Sequence, residues 1–475
     1  MDYETVIGLE IHAELATKSK IYCGCANEFG GEPNTRCCPI CIGMPGVLPV
    51  LNRQVVDYAI MAGLAMDCEI TRFGRQDRKN YFYPDLPKAY QTSQFDLPIC
   101  RGGHIDVTVP GGKKRIGITR IHIEEDAGKL LHDRGPGTLI DYNRCGVPLI
   151  EIVTEPDLRS ASEARAFLET LKAVLKYTGV SDCKMQEGSL RCDVNVSVRP
   201  IGQTELGTRA ELKNVNSFRA AFRAIEYEAA RQIELLEDGK TVEQETRRWD
   251  DDAGESLPLR GKEDAHDYRY FPEPDLVPIV VDDAWIADVR QRLPELPEAR
   301  RERYVSEFHL TEYDAAQLTA SLETANFFEE CVGRGAEPKS AANWLLGDIA
   351  HILNARSAEH QKITFSPEQL AKLLSLIDSG IISGTAGKKA LEELFEHPRD
   401  PEKIVGELGL AQISDEGELM KTVLEVIGKN PQSVADYKAG REKAMGFIVG
   451  QVMRETKGKG NPRLINELVR RELDK

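Results

Sequence analysis

The stretch Leu190-Arg-Cys-Asp-Val-Asn-Val-Ser-Val-Arg199 alternates without a break: Cys192, Val194, Val196 and Val198 are apolar, while Arg191, Asp193, Asn195, Ser197 and Arg199 are polar. Successive side chains of a strand point to opposite faces, so the stretch reads as a strand with one face in a core and the other free for chemistry. Four more short β-rich stretches, residues 5–12, 115–124, 147–153 and 209–213, read as strands as well. By the same period of two, Glu10 and His12 share a face, and so do Arg209, Glu211 and Lys213. Several strands thus present ionisable groups together.

Two amphipathic helices interrupt these strands. One covers residues 162–177, with Ala164, Phe167, Leu168, Leu171, Val174 and Leu175 at helical spacing and Gly179 as a stop. The other starts after Ser217, a good N-cap, and buries Phe218, Phe222, Ile225, Ala229, Ile233 and Leu236 before Gly239. Beyond the Leu293-Pro294 pair the chain reads as helix after helix: residues 315–330, 339–355, 367–379, 387–395, 418–427, 434–437, 441–456 and 462–473. Residues 395–415 divide this half, and the segment after them reads as a small bundle. The expected domains are 1–293, 294–405 and 406–475, in an α+β chain with no visible internal repeat.

Length and composition agree, since 475 residues amount to about three domains. A mixture of 41% hydrophobic and 29% charged residues excludes wholesale disorder, a collagen repeat and a coiled-coil rod. No run of apolar residues is long enough to span a membrane. Asp2, Glu4, Glu10 and Glu14 are wrong for a targeting peptide, so a cytoplasmic protein with no membrane partner is expected. The net charge of -16 rules out a whole-surface attraction to phosphate, yet residues 438–475 carry a local +5. Nucleic-acid contact should favour that end.

Cys23-x-Cys25, followed after twelve residues by Cys38-x-x-Cys41, offers two close pairs of thiolates, the donor set of a tetrahedral structural zinc. Cys37 is spare. Reduced structural thiols and an iron-sulfur cluster are the other readings of this group. A second group is acidic: Glu10 and His12, Glu124-Glu125-Asp126, Glu151 within Val147-Pro-Leu-Ile-Glu-Ile-Val153, Asp193 and Glu211. Carboxylates in strands that otherwise read as buried are costly unless paired or bound to a cation. Each could pair separately with Arg144, Arg191, Arg209 or a lysine; together they suggest magnesium and a phosphate-bearing ligand.

No Walker A sequence and no Gly-x-Ser-x-Gly elbow is present, so a nucleotide needs another kind of pocket. Arg78-Lys-Asn-Tyr-Phe-Tyr-Pro-Asp-Leu-Pro-Lys88 interleaves cations with aromatic rings, and Asp267-Tyr-Arg-Tyr-Phe-Pro-Glu-Pro-Asp275 mixes acids with rings. Arg78, Lys79, Tyr81, Lys88, Arg191 and Lys213 are the residues expected to hold the nucleotide. In the basic C-terminal stretch, Arg454, Lys457, Lys459, Arg463, Arg470 and Arg471 are open to two readings, a solvated helix surface or a patch for an RNA backbone.

The longer motifs are also familiar together. Val6-Ile-Gly-Leu-Glu-Ile-His12, Asp77-Arg-Lys-Asn-Tyr-Phe-Tyr-Pro-Asp85, Ile123-Glu-Glu-Asp-Ala-Gly-Lys129, Pro148-Leu-Ile-Glu-Ile-Val153, Gln186-Glu-Gly-Ser-Leu-Arg-Cys-Asp193, Glu211-Leu-Lys-Asn214, Glu245-Thr-Arg-Arg248, Asp267-Tyr-Arg-Tyr-Phe-Pro-Glu-Pro274, Lys443-Ala-Met-Gly-Phe447 and Gly460-Asn-Pro462 closely resemble the B subunits of the aspartyl/glutamyl-tRNA(Asn/Gln) amidotransferases. The resemblance covers essentially the whole chain. It implies a largely antiparallel β cradle with flanking helices, then an all-α linker domain and a helical tail that touches tRNA.

The resemblance further implies a heterotrimer in which an amidase A subunit releases ammonia from glutamine and a small C subunit holds the assembly together. The B subunit would use ATP to phosphorylate the side-chain carboxylate of glutamate on tRNA(Gln), or aspartate on tRNA(Asn), before ammonia displaces phosphate. Carried over residue by residue, catalysis falls to Glu10, His12, Glu124, Glu125, Glu151, Asp193 and Glu211. Magnesium falls to Glu10, His12, Glu125, Glu151, Asp193 and Glu211, with Glu124 near. A neutral imidazole on magnesium is unusual, so holding substrate or a bound water is the alternative role for His12. The alternative from another class is a non-catalytic, zinc-bearing scaffold that presents tRNA to a catalytic partner. Converging carboxylates speak against it, since they repel RNA phosphates. No amidase Ser-Ser-Lys signature is present.

Overall fold

The computed structural model describes residues 2–132, 135, 137–261, 267–356, 362–413, 415–456 and 459–475. The five expected strands are found at Tyr3–Glu14, Gly112–Glu125, Pro148–Thr154, Leu190–Pro200 and Ala210–Val215, two of them starting one residue later than expected, and they join one ten-stranded sheet. Its order is Glu255–Gly261, Glu245–Asp250, Ala210–Val215, Leu190–Pro200, Tyr3–Glu14, Pro148–Thr154, Gly112–Glu125, Cys100–Arg101 and Glu69–Ile70, with His104–Val109 paired to Gly112–Glu125. Within it Ala210–Val215 and Glu245–Asp250 run parallel, and the other pairs are antiparallel. With helices packed on the sheet, the fold is α+β.

Alternation decides which face is covered. Ile7, Leu9, Ile11 and Ala13 of the first strand, Ile150 and Ile152, and Cys192, Val194 and Val196 enter one core with Phe167, Leu171, Ala220, Ala224 and Ile60 from helices Ala161–Tyr177, Phe218–Glu237 and Arg53–Ala65. The opposite face keeps Glu10, His12, Glu151, Asp193 and Glu211. Ser160 and Ser217 cap the two expected helices, each side chain accepting the backbone N–H of the third helical residue.

Helix Arg53–Ala65 was not expected, for a physical reason. Nine of its residues are buried, from Val55 to Leu64, so it lacks the polar stripe that gives a helical period its contrast. Helices Asp283–Arg292, Pro297–Glu307 and Pro401–Glu407 also lie outside the expected set. The helix expected over 315–330 is two, Glu312–Thr319 and Leu322–Gly333, because Ser321 turns extended and caps the second. The one expected over 339–355 is interrupted by a π turn at Leu345–Ile349.

The chain divides into two compact units, Met1–Pro297 and Glu298–Lys475. The second holds two separate cores. One gathers Tyr304, Phe328, Leu345, Leu374, Leu391 and Ile404. The other gathers Leu419, Val423, Val426, Ile448, Val452, Ile465 and Leu468 from the last helices.

Candidate functional site

Cross-strand register builds the centre of the site. His12 lies opposite Glu151 on one side and Arg191 on the other, and Glu151 lies opposite His122. His12 Nε2 is 3.3 Å from Glu124 Oε1 and 3.2 Å from Glu151 Oε2, while His122 Nε2 is 3.4 Å from Glu124 and 3.3 Å from Glu151. Two carboxylates are thus held between two imidazoles. Burial opposes charge on His12, but the hydrogen bonds and charges of Glu124 and Glu151 outweigh it and hold the imidazole up to about 10. The same balance holds His122 up to about 9. Burial would raise both carboxyls; the imidazoles hold Glu124 and Glu151 below the usual carboxylate range. Ser93 Oγ donates to Glu124 at 3.3 Å.

Beside this centre, Asn195 Nδ2 donates to Glu10 at 3.1 Å, and burial with the charges of Glu151 and Glu211 pushes the Glu10 carboxyl up. Lys213 Nζ bridges Asp193 Oδ2 at 2.6 Å and Glu211 Oε1 at 2.9 Å, and Thr246 Oγ1 donates to Glu211 at 2.8 Å. Lys79 sits 4.8 Å from the Tyr268 ring and 5.7 Å from the Tyr81 ring. Burial opposes its charge, and Glu124, Tyr270 and Glu151 more than restore it. Lys79, Tyr81 and Lys213 therefore join Glu10, His12, Glu124, Glu151, Asp193 and Glu211 on one face.

Glu125 does not join them. Glu124 and Glu125 are neighbours in one strand and point to opposite sides. The Glu125 carboxylate pairs with Lys88 and accepts the backbone N–H of Thr92 at 2.8 Å. These residues line a cavity of about 190 Å³ with Tyr22, Cys41, Tyr90 and Glu273. Gly43, at φ +68°, makes room for Lys88, whose Cγ would lie 2.3 Å from any Cβ there. Arg78 is held by Glu273 through two hydrogen bonds of 2.7 and 2.8 Å, and its guanidinium lies 4.3 Å from the Tyr90 ring. Arg191 meets Asp126 at 2.9 Å, and Arg144 pairs with the same carboxylate.

The four expected thiols converge. Ligand atoms of Cys23, Cys25, Cys38 and Cys41 all lie within 4.8 Å of one another. The Sγ atoms of Cys38 and Cys41 are 3.7 Å apart, close to the edge of about 3.8 Å that zinc–sulfur bonds make in a tetrahedron. The backbone N–H of Cys38 donates to Cys41 Sγ at 2.9 Å. The Cys23 thiol's hydrogen bond, against burial and with help from that N–H and the charge of Lys20, brings Cys41 down to about 5. The set fits a tetrahedral metal. Ligand atoms of His12, Glu124 and Glu151 also lie within 4.8 Å of one another. Their carboxylates suit a hard divalent cation, and the imidazole does not distinguish magnesium.

Arg454, Lys459, Arg463, Arg470 and Arg471 are exposed on the last two helices and the turn between them, and Arg471 meets Glu416 at 2.8 Å. Lys457 lies outside the described residues. His122 is a residue of the centre that sequence reasoning passed over; its signal was parity, two positions before Glu124 on one strand.

A profile described as the GatB/GatE catalytic domain matches residues 5–287, and one described as the GatB domain matches residues 326–473. Proteins named as the B subunit of aspartyl/glutamyl-tRNA(Asn/Gln) amidotransferase are similar over their full length. Those of Caldicellulosiruptor bescii and Caldicellulosiruptor saccharolyticus are each 64% identical over 479 residues, covering 100% of both chains. That of Caldanaerobacter subterraneus subsp. tengcongensis is 59% identical over 475 residues, again covering 100% of both. Their name makes each of these relatives one part of a multi-subunit amidotransferase, and no helix among the described residues of this chain is long and apolar enough to cross a membrane. Matched by both profiles and by relatives along its whole length, the chain belongs to the GatB family, the transamidating B subunits of tRNA-dependent amidotransferases.

Proposed function

We propose that this chain activates and amidates glutamate on tRNA(Gln), aspartate on tRNA(Asn), or both, working in the cytoplasm with an amidase A subunit and a small C subunit. The observation that carries this reading is the buried pair Glu124 and Glu151, held by two imidazoles on the open face of the sheet next to Lys79. A carboxylate is a poor electrophile. Transfer of the γ-phosphoryl group of ATP to its oxygen makes a mixed anhydride and releases ADP. Ammonia then attacks the carbonyl carbon, the C–O bond to phosphate breaks, and a proton leaves the nitrogen.

Glu124 and Glu151, with Glu10, Asp193 and Glu211 around them, would hold magnesium, whose chemistry here is to neutralise phosphate charge. His12 and His122 orient the two carboxylates. Lys79 and Lys213 offer charge to phosphates, and Tyr81 offers a ring to a base. Arg78, Lys88 and Arg191 serve the nucleotide less directly, through the acids that hold them. Glu125, on the Lys88 side, acts apart from the other carboxylates. Cys23, Cys25, Cys38 and Cys41 hold a structural zinc, and residues 406–475 form the tail whose Arg454, Lys457, Lys459, Arg463, Arg470 and Arg471 meet the tRNA backbone after a linker of residues 294–405.

The test uses the chain with its partner subunits, misacylated Glu-tRNA, ATP and magnesium, with ammonium replacing glutamine. Wild type should form Gln-tRNA, and a folded Glu151→Gln protein that still binds tRNA should fall at least 100-fold. Equal activity in the two removes the site assignment. No product from wild type favours the scaffold alternative.

A further inference from the structure

Strand Gly112–Glu125 changes phase halfway along. Val153 pairs with Arg120 and Thr154 with Ile118, so Thr119 is an extra residue, a β-bulge. The burial pattern records the change: Ile116 and Ile118 are 0% and 1% exposed at even positions, and Ile121 and Ile123 are each 0% exposed at odd ones. An unbroken strand continuing the first phase would drive position 120 into the core. The bulge turns Arg120 onto the same face as His122 and Glu124 instead.

There Arg120 is half-buried and, among the described residues, has no hydrogen-bond or ion-pair partner. Other half-buried arginines of this unit are claimed by acids: Arg78 by Glu273, Arg144 and Arg191 by Asp126, and Arg199 by Glu4. The residue directly across from Arg120 is Arg101, whose guanidinium donates to the carbonyl of Asp96 rather than to a carboxylate. Like charges directly opposite in a sheet are destabilising. An anion bound between them removes that cost.

The row across the sheet reads Arg101, Arg120, Val153, Glu10, Asp193, and the next row reads His122, Glu151, His12, Arg191. Strands lie about 4.8 Å apart, which leaves roughly 10 Å between Arg120 and Glu10 with only the Val153 side chain between. A cavity of about 400 Å³ borders this row from Val153 onward, lined by Val153, Glu10, Gly8, Asn195 and Arg209 and not by Arg120 itself, and nothing lies within 4 Å of where a Gly8 Cβ would be. A phosphate on this face meets carboxylates on most sides, and a planar guanidinium offers it the paired hydrogen bonds that the point charges of Lys79 and Lys213 do not.

We propose that Arg120, seconded by Arg101, binds a phosphate group of a substrate lying over Val153. The proposal rests on the reading that phosphate chemistry takes place on this face. The phosphate belongs either to the nucleoside triphosphate or to the last phosphodiester of the tRNA.

The test is made on the full chain in its complex, with wild type, Arg120→Met, Arg120→Lys and Arg101→Met. Calorimetric titration with inorganic tripolyphosphate reads the site without any catalysis. Arg120→Met should weaken binding at least tenfold, Arg120→Lys less, and Arg101→Met least, with melting temperatures unchanged. In ammonium-driven amide formation, a tenfold rise in KM for ATP alone assigns the nucleotide, and one in KM for tRNA alone assigns the phosphodiester. Tripolyphosphate affinity and both KM values within twofold of wild type would overturn the proposal. So would losses confined to Arg120→Met and accompanied by a lowered melting temperature. If wild type binds tripolyphosphate through Arg120 yet forms no amide, the functional reading fails while the phosphate site stands.

Discussion

At the centre of the site, single charges are compensated residue by residue. Glu124 and Glu151 are buried, and His12 and His122 supply the opposing charge. Removing one partner of a buried ion pair costs about 3–5 kcal/mol, because the other is left uncompensated. His122→Leu should therefore lower the melting temperature in chelator, and added magnesium should restore more of the loss than it adds to wild type; an equal magnesium response in both would count against carboxylates that can take a cation. A second residue-scale expectation concerns Glu273. Burial raises its carboxyl, and the paired hydrogen bonds from Arg78 outweigh burial and hold it below its ordinary value of 4.5. A carboxyl depressed on folding stabilises above its unfolded value and loses that contribution as pH falls through the folded one. Glu273→Gln should thus melt below wild type at pH 7, and the gap should close as pH drops below 4.5. His12, Glu124 and Glu151 were legible because an ionisable group inside an apolar strand is conspicuous. His122 was not, because a histidine between two isoleucines reads as an ordinary core residue. Grouping Glu125 with Glu124 overlooked that neighbours in a strand cannot share a face.

Among elements, the helices with a polar stripe were legible and the buried one was not. Helix Arg53–Ala65 lies against the two short strands at one end of the sheet so closely that a Cβ on Gly63 would sit 2.4 Å from Cys100 Sγ and 3.0 Å from Ile70 Cδ1. Alanine in place of glycine gains about 1 kcal/mol of helix propensity. Overpacking a close-fitting core costs about 1–3 kcal/mol. Packing should win, so Gly63→Ala is expected to destabilise by about 1 kcal/mol in denaturant unfolding. In a Cys100→Ala background the same substitution should become neutral or stabilising; an unchanged penalty would show that Cys100 is not the obstacle. The helix start at Ser217 was readable because capping is a local hydrogen bond, whereas the cap at Ser160, which starts the other helix one residue before the expected 162, was not read. The break at Ser321 is also local chemistry, yet apolar periodicity runs on past it and hides it.

On the scale of the whole molecule, charge is divided along the chain, with net -16 overall and a basic C-terminal stretch. Arg463 and Arg470 are exposed and seven positions apart on helix Pro462–Leu473, hence on one side of it. Replacing both with glutamate should weaken tRNA binding and reduce the magnitude of its salt-dependence slope by about 1–2, the counterions of two phosphate contacts. Ammonium-driven turnover at saturating tRNA should stay near wild type. An unchanged salt slope would remove these two residues from the tRNA surface. What the sequence determined by itself is what depends on neighbours along the chain: the alternation that makes strands, the stripe that makes helices, the spacing of the four thiols, and motifs long enough to show the family. Tertiary structure alone decided which ionisable groups meet. His12, Glu124 and Glu151 come from three strands far apart in the chain, and their register follows from burying Ile11, Ile123 and Ile150 together on the other face. One inserted residue, Thr119, then decided that Arg120 faces the site, and an insertion of that kind is defined only by the strand that pairs with it.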